Sequence, residues 1–101
     1  MRLVYAPRAL RDIDEILSHI QQTSVQGARS ASIAIEHTAE VCAAHSRGGA
    51  PTYEPHVYRW PLSAYRYPIF YRFDPARDVV EIVRVVHAAR VRDLGRVPDE
   101  D

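Results

Sequence analysis

The apolar residues near the start of the chain recur with the period of a helix. They fall at positions i, i+3, i+6, i+7 and i+10, which are Leu10, Ile13, Ile16, Leu17 and Ile20. This spacing places them on one face of a helix, and Pro7 fits the first helical position, where its missing N–H costs nothing. The early turns also carry acidic residues, which the positive end of the helix dipole favours: Asp12, Asp14 and Glu15.

A second helical pattern begins at about Val25 or Gly27 and continues to about Ala44. Its many alanines favour a helix and allow close packing. Only a few polar residues separate it from the first helix, so the two are expected to form a helical hairpin. Two glycines and a proline within residues 45–51 then end the second helix.

β-Branched and aromatic residues predict three strands in the second half of the chain, in addition to a short strand at residues 2–5. The three runs lie at residues 57–61, 65–73 and 79–86. Pro68 lies inside the middle run and cannot donate to a ladder, so we expect an edge position or a bulge near it. The last run is apolar at both parities, which indicates a central strand buried on both faces. Residues 87–97 form an exit segment with one short helical turn.

The order of these elements, β-α-α-β-β-β, predicts an α+β fold in which a helical hairpin packs on a small antiparallel sheet. The first strand can join the edge of that sheet after the helices have crossed over. A chain of 101 residues has room for one core, so we expect a single domain over residues 1–97. The last four residues, 98–101, read PDED and are expected to form a disordered acidic tail.

The charge balance argues against a protein whose main task is to bind nucleic acid. The chain has 13 arginines, no lysine and 13 acidic residues, with a formal net charge of zero, whereas dedicated nucleic-acid binders are usually more basic. A local excess of positive charge exists nonetheless, because residues 51–97 carry eight arginines against five acids.

Several features favour a cytoplasmic protein without a membrane span. No apolar run approaches the ~18–20 residues needed to cross a bilayer, and the N-terminal residues lack the apolar stretch of a secretory signal. Cys42 is the only cysteine, so no internal disulfide is expected, which fits a reducing compartment.

Arginines and one histidine cluster at the end of the last predicted strand. Arg84 lies in a strand otherwise made mainly of valine and isoleucine, and a buried arginine is costly unless it is paired. It either forms a structural ion pair, with Glu81 or an acid of the helices, or joins Arg66 in a concave site that binds phosphate. His87 either acts as a general acid or base, or caps the strand by a hydrogen bond to a backbone carbonyl.

Three segments, in this order, resemble the RelE/ParE superfamily of toxins from bacterial type II toxin–antitoxin systems, and the resemblance covers nearly the whole chain. The opening VYAPRALRDIDEILSHI is similar to the family's first strand and helix. The run from Tyr65 to Arg72 is similar to its YR-x-x-(F/Y)-Y strand. The segment Val83 to Arg90, VRVVHAAR, is similar to the RV-x-H-x-x-R ending of the ParE branch.

The resemblance implies one of two activities. RelE-like members cleave messenger RNA on the ribosome without a metal, whereas ParE-like members poison DNA gyrase and need no ribonuclease site. The absence of lysine, the neutral charge and the alanines after His87 favour the ParE branch, so we expect no catalytic residues. In the RelE-like alternative, a ribosome-dependent mRNA endoribonuclease, the catalytic residues would be Arg66, Arg84 and His87.

Both activities imply a cognate antitoxin as partner. For the ParE branch we expect a ribbon-helix-helix antitoxin that forms a hetero-oligomer with the toxin and lays acidic and apolar side chains on it. The expected antitoxin-binding residues are Arg59, Trp60, Arg66, Arg72, Arg84 and Arg90. We expect no cofactor, no metal site and no direct DNA binding by this chain.

Overall fold

The computed structural model describes residues 1–60, 67–90, 93 and 95–99, and these form two α-helices and five strands. The helices are α1 (Pro7–Gln21) and α2 (Val25–Ala44). The strands are β1 (Arg2–Tyr5), β2 (Ala50–Pro51), β3 (Val57–Trp60), β4 (Ile69–Asp74) and β5 (Val79–Val85). The predicted α+β fold is confirmed, β2 is an addition to it, and the expected exit turn is a 3₁₀ turn at Ala88–Arg90.

Both helices begin where the sequence predicts and form the expected hairpin. Pro7 opens α1, and the Ser24 hydroxyl caps α2 by accepting a hydrogen bond of 2.8 Å from the Gly27 amide. The buried face of α1 differs from the predicted stripe, because Leu10 is 55% exposed whereas Asp12 is buried. Neither of these two helices is long and apolar enough to cross a membrane.

The sheet is mixed, which corrects the prediction of an antiparallel sheet. Its strand order is β1-β5-β4-β3-β2, and all neighbours are antiparallel except β1 and β5. These two run parallel, with Arg2 paired to Val79 and Tyr5 to Ile82. A parallel neighbour needs a long connection rather than a tight turn, and both helices and three strands separate β1 from β5 along the chain.

Pro68 lies just before an inner strand, so the expected edge position is wrong. β4 starts at the next residue and lies between β3 and β5. The missing N–H of Pro68 therefore falls outside the ladder, while its carbonyl accepts from the Val86 amide at 3.3 Å. The expected bulge is present, because the β4–β5 register shifts between Phe70 and Tyr71. Residues 65–66 of the predicted strand lie outside the described residues.

Buried side chains lie on both faces of the sheet. On the helix-facing side the core residues are Ala9, Ile35, Ala39, Cys42, Ile69, Tyr71, Val80, Ile82 and Val85. A second cluster, on the opposite face, consists of Val57, Phe70, Val83 and Val86. The predicted central position of the last strand is confirmed, because β5 lies between β1 and β4 and contributes to both clusters.

A β-bulge changes which residues of β5 face the helices. Arg84 pairs with Phe70 and Ile82 pairs with Tyr71, so Val83 has no register partner on β4. An extra residue of this kind bends a strand and re-aims the side chains that follow it. Val85, after the bulge, packs in the helix-facing cluster with Val80 and Ile82, and the side chain of Arg84 reaches α1.

Candidate functional site

A cavity of about 470 Å³ opens between α1 and the end of β5. The end of β5 and the turn after it contribute Arg84, His87 and Arg90. The facing side of α1 contributes Arg8, Asp12, Glu15 and His19. We call this the arginine cavity, after its three arginines. The structure thus brings together three residues that the sequence singles out and adds charged residues of α1.

Arg84 forms a buried ion pair with Asp12. Its Nε donates to Asp12 Oδ2 at 2.7 Å and its Nη2 donates to Oδ1 at 3.0 Å. Arg84 is 7% exposed and Asp12 is 4% exposed, so the two charges compensate each other away from water. The Val85 amide also donates to Asp12 Oδ2, at 3.0 Å. The interpretation of Arg84 as a structural ion pair with an acid of the helices is therefore confirmed.

The buried pair has further contacts within the chain. Arg8, one helical turn before Asp12, has its Nε 3.6 Å from Asp12 Oδ1. Arg84 Nη1 donates to the main-chain carbonyl of Asp99. Each guanidinium nitrogen of Arg84 thus has an acceptor within the chain, whereas Arg90 is exposed at the cavity.

His87 has one ring nitrogen engaged in the fold. Its Nδ1 accepts a hydrogen bond of 3.0 Å from the Ala89 amide, so the proton of the neutral ring lies on Nε2. The ring also meets Tyr67 edge-on, with centroids 5.2 Å apart. His87 caps the end of the strand, as one interpretation of the sequence expects, but its partner is an amide rather than a carbonyl.

The arginine cavity does not account for all of the expected antitoxin-binding residues. Arg72 lines a second depression of about 410 Å³, where its Nη1 is 3.7 Å from Glu81 Oε1. Arg66 lies outside the described residues. Of the expected set, therefore, only Arg84 and Arg90 line the arginine cavity within the part of the chain that the structure describes. The role of the set in antitoxin binding stays a prediction.

Arg59 and Trp60 follow one another on β3 and are both half-buried. The Trp60 ring lies 6.5 Å from that of Tyr71, whose hydroxyl donates to the Ser46 carbonyl at 2.7 Å and accepts from the Gly49 amide at 3.0 Å. Burial raises the pKa of Tyr71 to about 12. The Tyr71 hydroxyl thereby stabilises the loop after α2. Trp60 packs against the same core cluster as Tyr71, so it belongs in part to the core of the protein.

The contribution of α1 to the cavity is not among the features predicted from the sequence. The acidic pattern predicts a role for Asp12 at the helix dipole, but Asp12 lies beyond the first turn and is buried. A usable signal exists, because Asp12 is three residues after Ala9 and four before Ile16, on the face that packs against the core. A carboxylate on such a face needs a cation, just as Arg84 in an apolar strand needs an anion.

A family model described as "ParE toxin of type II toxin-antitoxin system, parDE" matches residues 3–92. The chain belongs to this family. The match spans β1, both helices, the other strands and the arginine cavity as far as Arg90. The predicted resemblance to the RelE/ParE superfamily, and to its ParE branch, is confirmed.

A solved structure shares the fold of this ParE-family chain: "Chromosomal ParDE TA system from P. aeruginosa". The TM-score is 0.73 at 20% sequence identity, and the match covers 86% of this chain and 95% of that chain. At this level of identity the likeness shows the fold alone. A search of the curated proteins finds no significant match.

Family membership assigns the general function. The chain is the toxin component of a type II toxin–antitoxin system, so an antitoxin is its partner.

Proposed function

We propose that this ParE-family toxin poisons DNA gyrase in the cytoplasm and blocks replication until a ribbon-helix-helix antitoxin neutralises it. The toxin binds gyrase through surface contacts and itself breaks no bond of a substrate. The observation that carries this proposal, beside the family match, is the buried pair of Arg84 and Asp12. In this pair Arg84 stabilises the fold, whereas the endoribonuclease alternative would need Arg84 as a catalytic cation.

The alternative, a ribosome-dependent mRNA endoribonuclease, would need three chemical roles filled. They are a base for the 2′-hydroxyl, a stabiliser for the pentavalent phosphate and an acid for the leaving oxygen. Arg84 would be the stabiliser, but Asp12 and the Asp99 carbonyl already accept from its nitrogens. His87 would be the acid or base, but its Nδ1 already accepts from a backbone amide. These contacts disfavour the endoribonuclease.

The antitoxin is proposed to contact arginines on two parts of the surface. Arg90 is exposed at the arginine cavity and can form charge-assisted hydrogen bonds with a carboxylate. Arg72, Arg59 and Trp60 would extend the contact across the sheet. Arg84 would act indirectly, because its pairing with Asp12 holds the wall of the cavity in place.

The gyrase proposal is tested with purified toxin, purified gyrase and relaxed plasmid in the presence of ATP. We expect supercoiling to fall with toxin concentration and linear DNA to accumulate, because the cleaved-DNA complex is stalled. The matched control is the same toxin premixed with the antitoxin encoded beside it, which should restore supercoiling. Supercoiling that is unaffected by an excess of folded toxin would contradict the proposal.

The endoribonuclease alternative is tested by primer extension on messenger RNA after the toxin is induced in cells. We expect no new 5′ ends within codons. Cuts within codons that disappear in the Arg84→Ala variant would instead establish ribonuclease chemistry and assign Arg84 to it.

A further inference from the structure

The described residues of the C-terminal segment, from Gly95 to Asp99, run across the sheet and end at the arginine cavity. We call Gly95–Asp99 the C-terminal strap. It touches the domain at three successive places, and each contact is of a different kind. A segment of chain that only trailed into solvent would not combine such contacts.

The first contact of the strap is with the loop before β3. The Tyr53 amide donates to the Gly95 carbonyl at 2.6 Å. The Tyr53 ring lies so close to Gly95 that an added Cβ would be 2.7 Å from a ring carbon. A larger residue at position 95 would force the ring away, so glycine permits this close approach.

The second contact is apolar. Val97 packs against the cluster on the sheet face opposite the helices, which consists of Val57, Phe70, Val83 and Val86. Burial of part of a single valine side chain stabilises the docked strap only modestly, which permits detachment.

The third contact reaches the arginine cavity itself. Pro98 lines the cavity, and the Asp99 carbonyl accepts from Arg84 Nη1. The strap thereby occupies the one guanidinium nitrogen of Arg84 that Asp12 does not. A backbone carbonyl of the chain stands where an oxygen of a bound partner would otherwise lie.

The sequence is acidic from the last residue of the strap onward. Residues 99–101 read DED in the sequence, and the cavity to which this end of the chain leads carries Arg8 and Arg90 in addition to the paired Arg84. An acidic peptide from a partner would seek the same arginines. The strap is tethered beside these arginines, which gives it a high effective concentration there.

We propose that the C-terminal strap is an intramolecular competitor, and that an acidic peptide of a partner enters the arginine cavity only when the strap detaches. The apparent affinity for such a peptide is reduced by the fraction of molecules in which the strap is docked. The inference does not depend on gyrase as target; it rests on the proposed function only in taking the antitoxin as the natural acidic partner.

The test uses the full chain and a synthetic peptide with the sequence of residues 96–101, RVPDED. Binding is followed by NMR through the side-chain N–H signals of Arg84 and Arg90. In Val97→Ser the strap loses its apolar anchor, and we expect the peptide to bind about fivefold more tightly than to the wild type. Arg96→Ser is the matched control, because it introduces serine at the neighbouring, exposed position. This variant should bind the peptide no more tightly than the wild type does.

A second measurement tests docking without any ligand. In the wild type, the backbone amides of residues 97 and 99 should be as rigid on the nanosecond timescale as those of β5, and in Val97→Ser they should become mobile. Equal peptide affinity in Val97→Ser and wild type, including no binding to either, would overturn the proposal. So would mobile amides in the wild type. A failure of gyrase inhibition would affect only the function proposed above.

Discussion

Arg84 and Arg72 lie on neighbouring strands of one sheet, and each faces a carboxylate in a different environment. Arg84 donates two hydrogen bonds to Asp12, the shorter of 2.7 Å, and both side chains are buried. Arg72 lies 3.7 Å from Glu81, and their side chains are 40% and 36% exposed. Water and salt screen the second pair strongly but the first pair hardly at all.

This difference separates arginines that hold the fold from arginines that can meet a partner. A buried pair contributes little net stability compared with apolar residues, but loss of one member leaves an uncompensated charge. The Asp12–Arg84 pair therefore fixes α1 against β5 in one position. An exposed pair such as Arg72–Glu81 contributes little to stability, and its arginine can exchange one carboxylate for another.

The largest effect is expected from Asp12→Ala. This substitution leaves Arg84 without its anion and the Val85 amide without its acceptor, and should lower the free energy of unfolding by about 3–5 kcal/mol. Urea unfolding measures the loss, and Asp14→Ala, at an exposed position of the same helix, is the matched control with an expected change within about 0.5 kcal/mol. Similar losses in the free energy of unfolding for Asp12→Ala and Asp14→Ala would contradict the claim that a buried charge contributes more to the fold than an exposed one.

An intermediate effect is expected at alkaline pH from two titratable groups of the helix-facing core, Tyr71 and Cys42. Burial raises the pKa of Tyr71, from 10.0, and of Cys42, from 9.0, each to about 12. Because the unfolded chain loses these protons first, the contribution of the two groups to stability is fully present below pH 9, declines as the pH rises from 9 to 12 and is lost above 12. Urea midpoints measured across this range should fall.

Two variants assign that decline to its sources. Cys42→Ala should flatten the part that begins at pH 9, and Tyr71→Phe the part that begins at pH 10. Tyr71→Phe should also destabilise the chain at neutral pH by about 1–3 kcal/mol, because the Gly49 amide loses its acceptor. An unchanged pH profile in both variants would show that other groups cause the decline.

The smallest effect is expected from Glu81→Gln. Because both side chains of the Arg72–Glu81 pair are substantially exposed, the free energy of unfolding should fall by less than about 1 kcal/mol. The difference from wild type should vanish in 1 M salt, which screens exposed charges within about 3 Å. A loss comparable to that of Asp12→Ala would contradict the comparison.

The sequence predicts most of the fold because the local signals and the tertiary contacts agree. Pro7 and the alanines of α2 favour helices at the places where helices pack on the sheet. The apolar run of β5 is buried on both faces as its pattern predicts. The parallel pairing of β1 is not predicted. Its partner strand is more than 70 residues away along the chain, and the pattern of Arg2–Tyr5 does not indicate in which direction that strand runs.

The site is less predictable, because its members come from distant parts of the chain. Asp12 and Arg84 are each a charged residue among apolar positions, which predicts that each has a partner of opposite charge. Neither segment indicates which residue that partner is. The bulge at Val83, after which Val85 faces the helices, depends on a register that only the assembled sheet defines. The contact of Asp99 with Arg84 is made by a main-chain carbonyl, for which side-chain patterns give no signal.

The central claim, that Arg84 belongs to the fold rather than to chemistry, is tested most directly by Asp12→Asn combined with Arg84→Gln. The double variant removes both buried charges, keeps an amide oxygen at position 12 for the Val85 amide, and should stay folded. Its inhibition of gyrase supercoiling is measured beside that of the wild type. We expect equal inhibition at equal concentrations; a folded double variant that has lost the inhibition shown by the wild type would contradict the claim.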